Sequence, residues 1–402
     1  MSARSAAQAR RYDAAIGLGI ALGAAGLAIA SRELARRAGR AAGAGLVDWQ
    51  QAEQLAVARL RRAAGALSAA ELDASRASYE RAMRQVVPLL EQRLELPLPG
   101  VVERYDVVDR AGWARANLAT FEQLIGRLEA HLLPPPADYR LATGLGRLVN
   151  RYVSTRQVGF LLGYLGQRVL GQYDIALLSA EARPGRLLFV EENVRSTAAA
   201  LNVPLDDFRT WIALHETTHA FEFEANDWLR PYLAERLERQ LAGFMDQARS
   251  LQANGVGPFL RRLRRAGGNP LSGLMTAEQR RLFRETQLVM SLLEGFGDWV
   301  MDEAGADILP NVATIRQRFE ARRNQRRRGL DRVIARLTGL DLKLEQYRRG
   351  ERFVAGVVRE GGHAAVRLLW AGPWALPSQR ELDDPAGWVR RVVHQQPLVG
   401  SG

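Results

Sequence analysis

The sequence contains no cysteine, which excludes a disulfide framework, a thiolate metal site and a cysteine nucleophile. Lysine is almost as rare: Lys343 stands alone, and every other basic side chain is arginine. A net charge of +12 would ordinarily point to nucleic acid or an anionic membrane. Here the arginine bias accompanies abundant Ala, Gly and Leu, the mark of a GC-rich coding genome rather than of a basic groove, so nucleic acid is not the expected partner. Gly17-Leu18-Gly19 and Gly144-Leu145-Gly146 leave the dinucleotide fingerprint incomplete, and no glycine loop ends in Gly-Lys-Ser/Thr. Both observations argue against a nucleotide site. Histidine is scarce as well, with five in 402 residues, at positions 131, 215, 219, 363 and 394.

What the chain does have is apolar bulk. At 47% hydrophobic content it can bury a large core, in two or three domains or one elaborated one. Residues 1–46 differ from the rest. Ala14 to Ala30 is an unbroken Ala, Gly, Ile and Leu run with arginines on both flanks, and Ala28-Ile29-Ala30 before Ser31 imitates a cleavage site. Seventeen residues span about 25 Å as a helix, the short edge of what crosses a bilayer. This Ala/Gly-rich N-terminal helix is a candidate membrane anchor or signal, with a small-residue helix packed on the protein as the alternative. The expected location is the cytoplasm, with membrane association through residues 14–30.

Residues 47–136 read as a helical N-terminal region. Ser68 can cap a helix from Ala69 to Leu94, with Pro88 kinking it, and residues 101–108 suit an extended strand. Pro134-Pro135-Pro136 is a stiff connector. Beyond it, Gly159, Gly163 and Gly166 recur at near-helical spacing and predict close packing, while Gln172 to Leu178 and Arg186 to Val190 read as strands of a small sheet. Helices are expected near 205–225, from Trp228 to Gln252, and over 277–304, the last opened by a Thr276/Gln279 capping box. The arginine run from Arg316 to Arg336 is interleaved with Ile315, Phe319, Leu330, Val333 and Leu337, as a solvated helix face with a buried stripe requires.

Two of the five histidines share one spacing, His215-Glu216-Thr217-Thr218-His219, mid-helix among apolar residues. Four residues apart, they lie one turn from each other on one face and can grip a single metal ion, with Glu216 at the rim of that face. Catalytic zinc takes three protein ligands and a water, so a third must come from elsewhere. Glu294 is the candidate, because it sits in an otherwise apolar helix where an unpaired carboxylate is costly. Gly295 and Gly297 beside it weaken the helix and predict close approach to something. Asp298, one turn on, can accept the free ring N–H of a ligand histidine. Glu222 and Glu224 are the runner-up ligands, too near on the motif helix to close a tetrahedron easily. With Zn2+ bound, a water of lowered pKa attacks an amide carbonyl while Glu216 takes its proton as general base. A strand at Leu187 to Glu191 is expected to align an extended peptide. Arg230 and Tyr232 are candidates to stabilise an oxyanion, and His363 is a weaker candidate proton donor.

These residues resemble the gluzincin branch of the zincin metallopeptidases, where His-Glu-x-x-His is joined by Glu-x-x-x-Asp from a second helix. The resemblance implies His215, His219 and Glu294 as metal ligands, Glu216 as catalytic base and Asp298 as support for a ligand histidine. The helix from Trp228 to Gln252 is then an insertion between the two site helices. Val47-Asp48-Trp49, Leu170-Gly171-Gln172-Tyr173-Asp174, Trp228-Leu229-Arg230-Pro231, Leu292-Leu293-Glu294-Gly295, Val300-Met301-Asp302 and residues 346–354 resemble a bacterial family of zincin-like hydrolases associated with deazaflavin coenzyme biosynthesis. Members often carry a histidine where this chain has Phe296.

The resemblance implies a mostly α fold with a small β-sheet, a zincin-like metallopeptidase fold with extra helices, and a zincin-like metallohydrolase region over residues 137–402. The expected function is that of a zinc metallopeptidase acting on a peptide or protein substrate. The alternative is a catalytically inactive zincin-like scaffold that binds a partner or membrane through its Arg-rich C-terminal half. No motif specifies an oligomeric state.

Overall fold

Ser68 accepts a hydrogen bond from the Glu71 backbone N–H while the Glu71 carboxylate accepts from that of Ser68, and Thr276 and Gln279 repeat the arrangement. Each reciprocal pair satisfies donors that a helix start leaves open, which fixes where two of the longest helices begin. The computed structural model describes residues 45–95, 100, 104–132, 144–174, 185–254, 276–324 and 340–394. Its helices are α1 (Trp49–Arg61), α2 (Ala69–Leu94), α3 (Arg110–Leu132), α4 (Gly144–Gly166), α5 (Glu191–Leu201), α6 (Leu205–Glu224), α7 (Leu229–Asn254), α8 (Ala277–Glu303), α9 (Gly305–Ile308), α10 (Val312–Asn324), α11 (Leu340–Arg367) and α12 (Pro385–His394). The mostly α fold with a small sheet is thus observed. Helix α2 runs through Pro88 as one element.

Three short strands, β1 (Tyr105–Val108), β2 (Gly171–Asp174) and β3 (Arg186–Val190), form a sheet in the order β1-β3-β2. β1 runs parallel to β3, with Tyr105 opposite Leu187; β2 runs antiparallel to it, with Gly171 opposite Phe189. Leu187, Leu188, Phe189 and Val190 are all buried, so β3 is covered on both faces and reads as a continuous apolar run rather than an alternating one. This corrects the expectation that residues 187–191 align a substrate. β3 is the central strand, its main-chain groups are used on both sides, and the edge strands are β1 and β2.

One core cluster joins Tyr79 and Met83 of α2, Phe189 of β3, Phe208 and Phe221 of α6, Phe296 of α8 and Phe353 of α11. Within it, Glu191 is wholly buried and accepts hydrogen bonds from Tyr79 Oη (2.9 Å), Arg195 Nε (2.7 Å) and the Arg209 guanidinium. A buried charge requires such partners, and here they clamp α2, α5 and α6 around the end of β3. The α4 glycines behave as their spacing predicts. A methyl group at Gly159 would sit 2.9 Å from the Ala52 carbonyl oxygen, and one at Gly166 would sit 3.1 Å from Leu60, so α4 lies tightly on α1.

The first arginines of the run are occupied within the fold, while Arg322 is exposed. Ile315 is buried, Arg316 pairs with Asp302, Glu320 and Glu351, and Arg318 donates to the Leu201 and Asn202 carbonyls that end α5. The expected membrane association does not stand. No helix among the described residues is long and apolar enough to cross a membrane, and the apolar run at 14–30 lies outside the described residues. The location expected from the sequence is withdrawn with it.

Candidate metal centre

Helix α6 starts behind Pro204 with Asp206 and Asp207 in its first turn, where carboxylates favour the positive end of the helix dipole. Phe208, Ile212, Leu214 and Phe221 anchor it in the core. Between Phe208 and Phe223 this leaves only His215 and His219 partly accessible, with side chains 22% and 16% exposed. Their Nε2 atoms converge to 3.3 Å, and Glu294 of α8 brings Oε2 to 4.0 Å from the His215 Nε2. One donor atom from each of the three lies within 4.8 Å of the others. Bonds of about 2.0–2.1 Å to a tetrahedral ion place ligand atoms about 3.3 Å apart, so the set has the spacing and chemistry of a catalytic zinc site.

Charge supports the same fit. Burial pushes Glu216 up to about 7, and Glu294 adds to the rise, while His219 and the Tyr173 backbone N–H pull it back. Glu222 is likewise raised to about 7 by burial, against the pull of its hydrogen bond with His219. Burial alone would lower His219, but Glu222, Glu294 and Glu216 outweigh it and raise the imidazole to about 10. Three carboxylates around two imidazoles favour a positive charge at their centre, which a divalent cation supplies.

Glycines let the backbone approach this cluster. A methyl group at Gly297 would lie 3.5 Å from His219 Cε1 and 3.6 Å from His215 Cε1, so the α8 backbone faces both rings. One at Gly171 would lie 2.5 Å from Glu216 Cγ. The β2 strand therefore runs directly against the carboxylate, and the Tyr173 N–H donates to it.

Of the residues singled out from sequence, His215, Glu216, His219 and Glu294 come together, and Asp298 lies half-buried one turn beyond Glu294 on α8. Arg230 reaches Tyr173 Oη at 3.5 Å, while Tyr232 packs edge-on to Trp228 and under the Arg236 guanidinium. His363 packs on Trp299, and both line a separate cavity with Phe221, Phe296 and Trp370. Phe296 thus belongs to that cavity's wall. Glu224 is engaged by Arg104 and Tyr173 Oη.

Sequence reasoning weighed Glu222 only as a runner-up ligand, whereas its Oε2 lies 2.8 Å from His219 Nδ1, and it missed the pair Gly171 and Tyr173 on Glu216. The three-residue step from His219 to Glu222 was a readable signal, since such residues share a helix face. Gly171 and Tyr173 carried no local signal, because their role depends on where β2 docks.

Comparison with known proteins gives the family. A search of curated proteins finds no match. A crystal structure from Chloroflexus aurantiacus, described as a "putative hydrolase with a novel fold", is 36% identical with a TM-score of 0.64, covering 87% of this chain and all of the other. The sequence pattern of the zincin-like metallopeptidases matches residues 47–389, which takes in both helices that carry the donor atoms. By that match the chain belongs to the zincin-like metallopeptidase family.

Proposed function

We propose that this chain is a zinc-dependent hydrolase that cleaves amide bonds in peptides, with Glu216 as general base. The observation that carries the reading is the convergence of His215, His219 and Glu294 beside a buried carboxylate that is not part of the donor set. His215 and His219 would hold the ion through Nε2 and Glu294 through a carboxylate oxygen. Zinc bound there supplies a Lewis acid and lowers the pKa of water toward neutrality. Glu216, held by the Tyr173 N–H, takes a proton at its carboxylate and returns it to the leaving amine. Glu222 supports His219 at Nδ1, and Asp298 serves the corresponding nitrogen of His215. The expected substrate is an extended peptide added along β2, the edge strand that carries Gly171 and Tyr173 against Glu216.

Metal analysis and hydrolysis of a peptide library by the full chain test this reading. About one zinc per chain, absent from His215→Ala, is expected. Glu216→Gln should keep the zinc and lose at least 100-fold in turnover. Folded protein that takes up no zinc rejects the metal site. Equal behaviour of wild type and Glu216→Gln on every substrate rejects the hydrolase and leaves a catalytically inactive scaffold.

A further inference from the structure

We infer that Glu222 is a positioning residue for the metal centre, selecting the His219 tautomer whose Nε2 lone pair points at the shared donor cluster. The inference rests on the metal-site reading above and adds to it a residue outside the donor set. Glu222 lies three residues after His219 on α6, so its carboxylate reaches the face of the ring opposite the donor cluster. Oε2 is 2.8 Å from Nδ1, while Nε2 of the same ring faces His215 Nε2 at 3.3 Å. A proton on Nδ1 is shared with Glu222, and Nε2 is then left as the free acceptor. A carboxylate acceptor also raises the basicity of the ring, strengthening it as a ligand.

The carboxylate is poorly explained by folding alone. Glu222 is wholly buried, and its second oxygen, Oε1, is buried without a hydrogen-bond partner. Leaving a charged acceptor half satisfied in the core opposes stability, so the group is retained for what it does to His219. Its neighbour Glu224, by contrast, is satisfied by Arg104 and by Tyr173 Oη.

Zinc affinity of the full chain, measured by competition with a chromophoric chelator, tests the inference alongside thermal unfolding of the metal-free protein. Glu222→Ala should bind zinc about 100-fold more weakly than wild type and Glu222→Gln about 10-fold, because the amide restores an acceptor at Nδ1 but not the charge. Metal-free Glu222→Gln should unfold at or above the wild-type temperature. In cobalt-loaded protein, both variants should shift the visible d–d bands. Wild-type affinity in both variants overturns the inference. So does a loss of affinity matched by an equal loss of metal-free stability, which marks a purely structural role. A wild type that binds no zinc fails differently, since it removes the metal-site reading itself; loss of zinc in His215→Ala with no effect at Glu222 removes only this step.

Discussion

Gly171 has no side chain because Glu216 occupies the space one would take. A methyl group there would lie 2.5 Å from Cγ and 2.9 Å from Cδ of the carboxylate. Gly171→Ala must move either the strand or Glu216. The strand is held by hydrogen bonds to β3, so Glu216 is the part that yields. The variant should bind zinc as wild type does and lose about 100-fold in kcat, since misplacement of a reacting group by about 1 Å has that effect. Peptide hydrolysis against zinc stoichiometry measures it, and undiminished turnover would show that β2 does not position Glu216. At this scale the sequence exposed the donor atoms, because a turn of helix relates His215 to His219 whatever surrounds them. It could not expose Gly171 or Tyr173, whose roles arise when a strand 45 residues earlier in the chain docks beside Glu216.

Among the elements, α8 and α11 cross at a pair of glycines. A methyl group at Gly295 would overlap the backbone of Gly350 and Glu351, and one at Gly350 would overlap the Ser291 carbonyl. Glu294 leaves α8 beside this crossing, so the packing of α11 sets where the third donor sits. Gly295→Ala gains about 1 kcal/mol of helix propensity. Against that stands overpacking of about 1–3 kcal/mol, at the upper end here because no side chain can rotate away from a backbone contact. Net destabilisation of about 1–2 kcal/mol is expected in denaturant unfolding, together with weaker zinc binding as Glu294 is displaced. Unchanged stability and affinity would show that the crossing tolerates a side chain. The sequence made these elements legible where local chemistry decides them: the Ser68 and Thr276 caps begin helices at Ala69 and Ala277 as read. It put peptide alignment on β3, which is paired on both sides, because an apolar run such as Leu187 to Val190 marks a buried strand without saying which neighbours cover its edges.

At the level of the whole molecule, the donor atoms come from α6 and α8, separated by the long α7. Arg236 to Glu285 (3.1 Å) and Gln240 to Thr286 (2.7 Å) tie α7 along α8, so the intervening helix stays with the scaffold that carries Glu294. A metal held there would bridge two helices already joined through one large core, unlike a zinc finger that folds only around its ion. Chelation should leave the protein folded, with unchanged far-ultraviolet circular dichroism. It should also remove the stabilisation that mass action provides, about 1.4 kcal/mol for each tenfold excess of free zinc over Kd. The unfolding temperature should thus rise with the logarithm of free zinc in wild type and be independent of it in His215→Ala and Glu294→Gln. Collapse of the helical signal on chelation would mean that the core does not hold the two halves together. A wild-type unfolding temperature indifferent to zinc would mean that the three donors share no ion in the folded chain.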